Sequence, residues 1–203
     1  MKYPVTEIFY SLQGEGHFVG YPMAFVRLAG CSVQACHIRR ECDEAPWKMR
    51  EMLTAADVLA RVDALAGRGI VCITGGEPTD HDLVPLVSTL RDGGQRVHLE
   101  TSGIRPVTGI PIEWITVSPK TTDHLQRSGH TLKVVVRPEW SFDEAWKFAE
   151  DCDGEFFHRY LQPMTSLNGE MNVNRVADMI LSGRNVSSRW ALSTQAHRSW
   201  GLP

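Results

Sequence analysis

Short apolar runs rich in valine, isoleucine and leucine recur along the chain. They are separated by polar stretches or by segments in which apolar residues repeat at helical spacing. Runs this short and this rich in branched residues predict buried strands. The predicted strands cover residues 23–29, 70–74, 95–100, 114–118, 132–136, 156–161 and 189–193.

Helix signals lie between several of these strands. Thr54 is a good N-cap with Asp57 three residues later, and a glycine at position 67 or 69 ends the apolar periodicity that follows. The segment 141–144, Ser-Phe-Asp-Glu, opens another helix with the same capping pattern. Further helices are predicted over residues 80–91 and 174–181.

Alternating buried strands and amphipathic helices predict parallel β/α units, which place functional residues just after the strands. About six such units are too few for a closed eightfold barrel. We therefore expect an α/β fold, a partial, open parallel (β/α)6 barrel, built as one domain over residues 1–203.

The composition of the chain limits the classes of function that it can have. The 21 basic and 24 acidic residues give a net charge of −3, which offers no electrostatic footprint for nucleic acid or for an anionic membrane. No apolar run reaches the length of roughly 18 residues that a membrane span needs. The first residues lack the apolar core of a signal peptide, so we expect a cytoplasmic protein with reduced thiols.

Three of the five cysteines, Cys31, Cys36 and Cys42, follow the first predicted strand in a Cx4Cx5C pattern. Clustered thiols of this kind bind iron or zinc, whereas one disulfide plus a spare thiol is the alternative. Three cysteines on a 4Fe-4S cluster leave one iron open for a cofactor. Cys72 and Cys152 lie elsewhere, and we expect neither to be a ligand; Cys72 has the setting of a core thiol.

Two further features suggest a ligand pocket. Arg27 is the one charge in its predicted strand, where it either pairs with a substrate carboxylate or points to water at the sheet edge. The segment 11–17 places two glycines around Glu15, which predicts either a hairpin turn or a loop that approaches a ligand closely.

Several motifs then occur in a fixed order. They are Leu-Gln-Gly-Glu-Gly, Arg-Leu-Ala-Gly-Cys, Cys-Asp, Ile-Thr-Gly-Gly-Glu-Pro, Glu-Thr-Ser-Gly, Val-Ser-Pro-Lys, Leu-Gln-Pro-Met and Ser-Thr-Gln-Ala-His. In this order they resemble the 7-carboxy-7-deazaguanine synthases, radical S-adenosylmethionine enzymes of queuosine biosynthesis. The resemblance runs from about residue 3 to Pro203 and implies the radical S-adenosylmethionine type of open barrel, with a modified cluster loop.

The resemblance implies a carbon–nitrogen lyase that converts 6-carboxy-5,6,7,8-tetrahydropterin to 7-carboxy-7-deazaguanine with loss of ammonia. It implies a 4Fe-4S cluster, S-adenosylmethionine and Mg²⁺, with the hydrogen abstracted by a 5′-deoxyadenosyl radical rather than by a protein residue. It also implies a homodimer and an electron donor such as flavodoxin, with no direct nucleic acid or membrane partner.

Site residues follow from the same resemblance. Cys31, Cys36 and Cys42 would hold the cluster. The cofactor would contact Gly76, Ser102, Ser118, Pro119, Lys120, Gln162, Pro163, Met164 and Thr165. The substrate would contact Leu12, Gln13, Gly14, Arg27, Thr74, His197 and Pro203.

The chain departs from the family pattern at two places. The usual cysteine spacing is CxxxCxxC, and the usual Asp-Thr after the third cysteine is here Asp43-Glu44. Glu44 either replaces the threonine as a magnesium ligand, or the metal site is lost. Two other functions stay open: a related radical enzyme such as a glycyl-radical activase, and a non-catalytic metal-binding homologue.

Overall fold

The protein is described by a computed structural model that covers residues 1–39, 42, 49–165, 172–182 and 189–203. Within these ranges the strands are β1 (Lys2–Leu12), β2 (Pro22–Leu28), β3 (Glu51–Thr54), β4 (Ile70–Gly75), β5 (Arg96–Thr101), β6 (Trp114–Val117), β7 (Ser128–Val136), β8 (Glu155–Pro163) and β9 (Trp190–Leu192). The helices are α1 (Ala55–Ala66), α2 (Val84–Asp92), α3 (Phe142–Asp151), α4 (Val173–Leu181) and α5 (Ala196–Trp200). None of the helices in these ranges is long and apolar enough to span a membrane.

The described strands form one open sheet in the order β3-β1-β2-β4-β5-β6-β7-β8-β9. Neighbours from β2 to β9 run parallel, whereas β1 is antiparallel to both β2 and β3. The predicted open α/β fold is confirmed. The described parallel part consists of the seven strands predicted from the apolar runs, and the β1–β3 pair extends it at one edge.

The crossovers are not all regular β/α units. Of the fully described connections, those from β5 to β6 and from β6 to β7 contain no helix. Residues 103–111 include two glycines and two prolines, which break helical hydrogen bonding. Helix α2 begins at Val84, later than predicted, because Pro85 is tolerated only in the first turn.

Both predicted capping boxes are present. The Thr54 hydroxyl accepts a hydrogen bond of 3.1 Å from the Asp57 main-chain amide. The Asp57 carboxylate accepts one of 2.9 Å from the Thr54 main-chain amide. Ser141 and Glu144 exchange the same two bonds at the start of α3. These local contacts set where both helices begin.

Side-chain alternation divides the sheet into two faces. Val26, Ile73 and Leu99 are fully buried in the core that also contains the buried residues of α1 and α2. Their neighbours Arg27 and Thr74 line the opposite, concave face. Because successive residues of a strand point to opposite faces, each parallel strand contributes both to the core and to the concave face.

Candidate active site

A pocket of about 220 Å³ lies on the concave face, where residues at the carboxyl ends of the parallel strands meet. Most of the residues predicted from the sequence line it. The three cysteines line it, as do the predicted substrate contacts Leu12, Gln13, Gly14, Arg27, Thr74, His197 and Pro203. The predicted cofactor contacts Gly76, Ser102, Ser118, Lys120, Gln162, Pro163, Met164 and Thr165 also line it.

Two predicted residues are not in this lining. Pro119 is buried but lies outside the pocket wall. Glu44 and the preceding Asp43 fall outside the described residues, so the magnesium assignment stays a prediction. The structure thus brings the other candidates together, while their individual roles stay predictions.

The three cysteines line the same pocket and are half-buried. All five cysteines lie among the described residues, and they form no disulfide. No three histidine, cysteine or acidic side chains in the described ranges converge on a single metal ion. Cluster cysteines bind different irons and do not need to converge on one point. The three thiols line one pocket, and their assignment to an iron–sulfur cluster stays a prediction.

The turn after β4 is held by an unusually buried acid. Glu77 is 0 % exposed, and its carboxylate accepts bonds from Thr79, Thr101 and Ser102. Gly75 has a φ of 118°, and a Cβ there would lie 2.2 Å from the Leu28 carbonyl oxygen. The glycine and the buried acid together fix the turn that carries Gly76 into the pocket.

A buried ion cluster forms the inner wall. The Lys133 ammonium contacts the Glu15 carboxylate directly and lies 4.0 Å from Glu100. The side-chain amide of Gln13 donates a hydrogen bond of 2.9 Å to the Glu100 carboxylate. Burial alone would raise the pKa of Glu15, but the charge and hydrogen bond of Lys133, with a bond from Gln195, lower this pKa to about 2. Glu15 therefore stays charged at neutral pH.

The β1–β2 connection and α5 close one side of the pocket. The Ala196 amide donates to the Gly14 carbonyl at 2.9 Å, and Gln195 donates to Glu15 at 2.8 Å. A Cβ at Gly14 would lie 2.0 Å from the His197 ring, so only glycine lets the two segments approach. The segment 11–17 is therefore both a hairpin connection and part of the pocket wall. The two alternatives considered from the sequence, a turn and a loop close to a ligand, are combined in it.

Arg27 faces the pocket from β2, although its side chain is only 26 % exposed. Its guanidinium lies 3.3 Å from the Glu7 carboxylate and 5.0 Å from the centre of the Phe9 ring. The alternative of an arginine pointing to water at a sheet edge is therefore wrong. A guanidinium held in this way presents donors to the pocket that suit an anionic group.

The amino-terminal half of the concave face is filled by aromatic rings. His17 stacks on His158 at 4.1 Å and on Trp114 at 4.9 Å, and Trp114 also stacks on His130 at 4.6 Å. Phe18 packs beside His98 at 4.7 Å. We call this group (His17, Phe18, His98, Trp114, His130 and His158) the floor cluster.

The pocket residues that were not assigned a role from the sequence include Glu15, Glu100, Lys133 and Gln195. Lys133 carried a usable signal, because it is the one charge in an apolar strand, as Arg27 is in its own. Glu15 and Glu100 lay inside quoted motifs without a role. Gln195 likewise lay inside the quoted Ser-Thr-Gln-Ala-His motif without a role.

The fold and the site together indicate the class of protein to which the chain belongs. An open parallel sheet, a three-cysteine loop after its first parallel strand and a glycine-glycine-glutamate turn after the next are those of a radical S-adenosylmethionine enzyme. The structure superposes on the crystal structure of QueE from Escherichia coli with a TM-score of 0.74 and 28 % identity, covering 97 % of this chain and 95 % of that one.

Sequence comparison specifies the family. The 7-carboxy-7-deazaguanine synthase of Synechocystis is 35 % identical over 100 % of this chain and 94 % of that protein. The synthase of Burkholderia multivorans is 33 % identical over the full length of both. No protein-family model matches the chain. The chain belongs to the 7-carboxy-7-deazaguanine synthase family.

Proposed function

We propose that this chain is a 7-carboxy-7-deazaguanine synthase. It would convert 6-carboxy-5,6,7,8-tetrahydropterin to 7-carboxy-7-deazaguanine with loss of ammonia, as a carbon–nitrogen lyase of 7-deazapurine and queuosine biosynthesis. The observation that supports this most directly is one pocket lined by both the three cysteines and Arg27, in a chain that matches the synthases along its full length.

The pocket residues suit the implied cofactors. Cys31, Cys36 and Cys42 would hold a 4Fe-4S cluster, and the turns at the carboxyl ends of β4, β5 and β8 and the turn after β6 would hold S-adenosylmethionine. When bound, the pair supplies the one-electron chemistry that removes a hydrogen atom from the substrate. The Lys120 ammonium donates to the Ser118 carbonyl and hydroxyl at 2.8 Å, which fixes the turn after β6.

The inner wall would bind the pterin. Arg27 would pair with the substrate carboxylate through its planar fork. The main chain at 12–14 and the Glu100 carboxylate would meet the donors and acceptors of the ring edge, with His197 and the Pro203 oxygen closing the side of the pocket. The largely buried Glu15–Lys133 pair would hold this wall in place.

Magnesium, the electron donor and assembly complete the proposal. Glu44 would ligate Mg²⁺ together with the substrate carboxylate and water. A flavodoxin-like reductant, a homodimer and a reducing cytoplasm follow from the family. A parent enzyme indifferent to magnesium and to chelator would remove Glu44 from the site. Neither the activase nor the non-catalytic alternative is favoured, since the relatives compared above are synthases.

The deciding experiment is anaerobic incubation of reconstituted protein with the carboxypterin, S-adenosylmethionine and a reductant. We expect 7-carboxy-7-deazaguanine in the parent and none in Cys31→Ala, Cys36→Ala or Cys42→Ala, each with less iron. Cys72→Ala should keep its cluster, because Cys72 is 1 % exposed and lies away from the pocket mouth. No product from a fully loaded parent would refute the proposal.

Arg27 provides a second test. Arg27→Met should weaken substrate binding by orders of magnitude while leaving cluster absorbance unchanged, because a desolvated carboxylate would lose its partner. Arg91→Met is the matched control, since Arg91 pairs with Glu113 at 3.2 Å outside the pocket. Equal substrate affinity in both variants would mean that Arg27 does not bind the carboxylate.

A further inference from the structure

His37 follows the second cysteine directly, and its ring is turned away from the pocket. Cys36 and Ile38, on either side of it, both line the pocket. The His37 ring instead packs against Trp140 and Phe148, with ring centres 5.0 and 5.1 Å away. Among the described residues, the His37 side chain therefore attaches the lengthened cysteine loop to the structure around α3.

Polar contacts fix the same residue. Nδ1 of His37 lies 2.9 Å from the Lys120 carbonyl oxygen, and Nε2 lies 3.2 Å from the Val135 carbonyl oxygen. The Arg137 guanidinium donates to the His37 carbonyl. These partners belong to the turn after β6 and to the end of β7, so three separate backbone segments meet at His37.

The ring geometry argues against metal ligation. A histidine ligand needs a ring nitrogen whose lone pair faces the metal. Both nitrogens of His37 face carbonyl oxygens, which accept rather than donate, and His37 itself is not in the pocket lining. The possibility that His37 replaces a cysteine as a cluster ligand therefore has no geometric support.

We propose that His37 is a positioning residue that docks the lengthened Cx4Cx5C loop on the ends of β6 and β7 and thereby holds the Cys36 thiol toward the cluster. The part concerning the cluster rests on the proposed function; the docking itself does not. A first ligand shell held only by a loop is loose unless surrounding contacts lock it, which explains why a longer loop needs such an anchor.

The first test uses the protein without its cluster. Cysteine alkylation by iodoacetamide is followed residue by residue by mass spectrometry in the parent, His37→Ala and His37→Gln. We expect Cys36 to react at least fivefold faster in His37→Ala, with Cys31 within twofold of the parent. Buried Cys72 is the slow reference, because burial raises its pKa.

The conservative variant and a control sharpen the result. A glutamine amide carries two N–H donors and can meet the two carbonyls, so His37→Gln should restore most of the parent rate at Cys36, whereas His37→Phe should not. His130→Gln removes a comparable bond, from the Ile115 amide at 3.0 Å, at the other end of β7. That variant should leave all cysteine rates unchanged.

The second test uses reconstituted protein. The half-life of the cluster absorbance in air should fall at least fivefold in His37→Ala and less than twofold in His37→Gln and His130→Gln. Pulsed electron paramagnetic resonance of the reduced cluster tests ligation directly. Any nitrogen coupling seen in the parent should persist in His37→Gln. A nitrogen coupling present in the parent and lost in His37→Gln would make His37 a ligand and overturn the proposal.

Two other results would also overturn it. Equal acceleration at Cys31 and Cys36 would indicate general loosening rather than docking at His37. Unchanged alkylation in His37→Ala would show that the loop needs no anchor there. None of these measurements depends on product formation, so an inactive protein would refute the proposed function and leave the docking of His37 to be decided separately.

Discussion

The two halves of the concave face differ sharply, although the same strands build both. Toward the carboxyl end, β2, β5 and β7 present Arg27, Glu100 and Lys133 around an open pocket. Toward the amino end, His98 on β5 and His130 on β7 belong to the stacked floor cluster. A few residues along a strand therefore separate the charged wall from the aromatic floor cluster.

This difference divides the same face between aromatic and charged side chains. The floor cluster fills the amino end with rings that stack at 4.1 to 4.9 Å. In the wall, the Lys133 and Glu15 side chains are only 6 % and 13 % exposed, so each depends on the other as a partner. We expect changes in the wall to affect binding and charge balance, and changes in the floor to affect mainly folding.

The largest expected effect is in the wall. Lys133→Met leaves the buried Glu15 carboxylate without its cation and should lower the free energy of unfolding by roughly 3–5 kcal/mol. Urea unfolding measures it. The double variant Glu15→Gln/Lys133→Met should recover most of this stability but no activity. A Lys133→Met protein as stable as the parent would show that the pair does not stabilise the fold.

The floor gives the next effect. Trp114→Ala removes the ring on which His17 and His130 stack and should cost about 2–3 kcal/mol, somewhat less than for a fully buried tryptophan. Leu181→Ala is the control, since Leu181 is 80 % exposed and should change stability by less than about 0.5 kcal/mol. Iron content should be the same in both. Loss of iron only in Trp114→Ala would mean that the floor also supports the cluster.

A smaller effect tests the contact between the wall and α5. Gly14→Ala would place a methyl group 2.0 Å from the His197 ring and should push that residue out of the pocket. Substrate affinity should fall about tenfold, which corresponds to roughly 1.4 kcal/mol. Gly69→Ala is the control because nothing lies within 4 Å of its Cβ position. Equal affinities in the two variants would remove His197 from the substrate site.

The smallest expected effect is a difference in the pH range over which the floor cluster and the wall lose their contribution to stability. Burial, with the charges of Arg96 and His130, lowers the pKa of His98 to about 4, and burial also lowers that of His17 and His130. The unfolded chain therefore binds more protons below about pH 6.5, so the stability that these residues contribute is lost as the pH falls from about 6.5 toward 4.

Urea unfolding at pH 7.5 and pH 5.0 measures this slope, and His98→Gln should make it shallower. The wall responds in a different window. The lowered pKa of Glu15 means that its stabilisation is kept to lower pH and is lost only as pH falls from about 4.5 toward 2. Equal slopes in the parent and in His98→Gln would show that His98 does not contribute to the pH dependence of unfolding.

Local patterns in the sequence determined much of this protein. The apolar runs located the parallel strands, and Thr54 and Ser141 marked where α1 and α3 begin. These features depend on residues close together in the chain. The order of the motifs also identified the family, because glycines and cysteines at fixed places after strands reflect the backbone geometry that a bound cofactor requires.

Only the tertiary structure decided which distant residues meet. Lys133 pairs with Glu15 across 118 positions, and His197 packs on Gly14. The His37 ring turns toward the Lys120 and Val135 carbonyls rather than toward the cysteines. Such pairings are set by strand order, register and the path of the loops, which no local pattern encodes. A lone lysine in an apolar strand indicates that a partner exists, but packing of the whole sheet selects that partner.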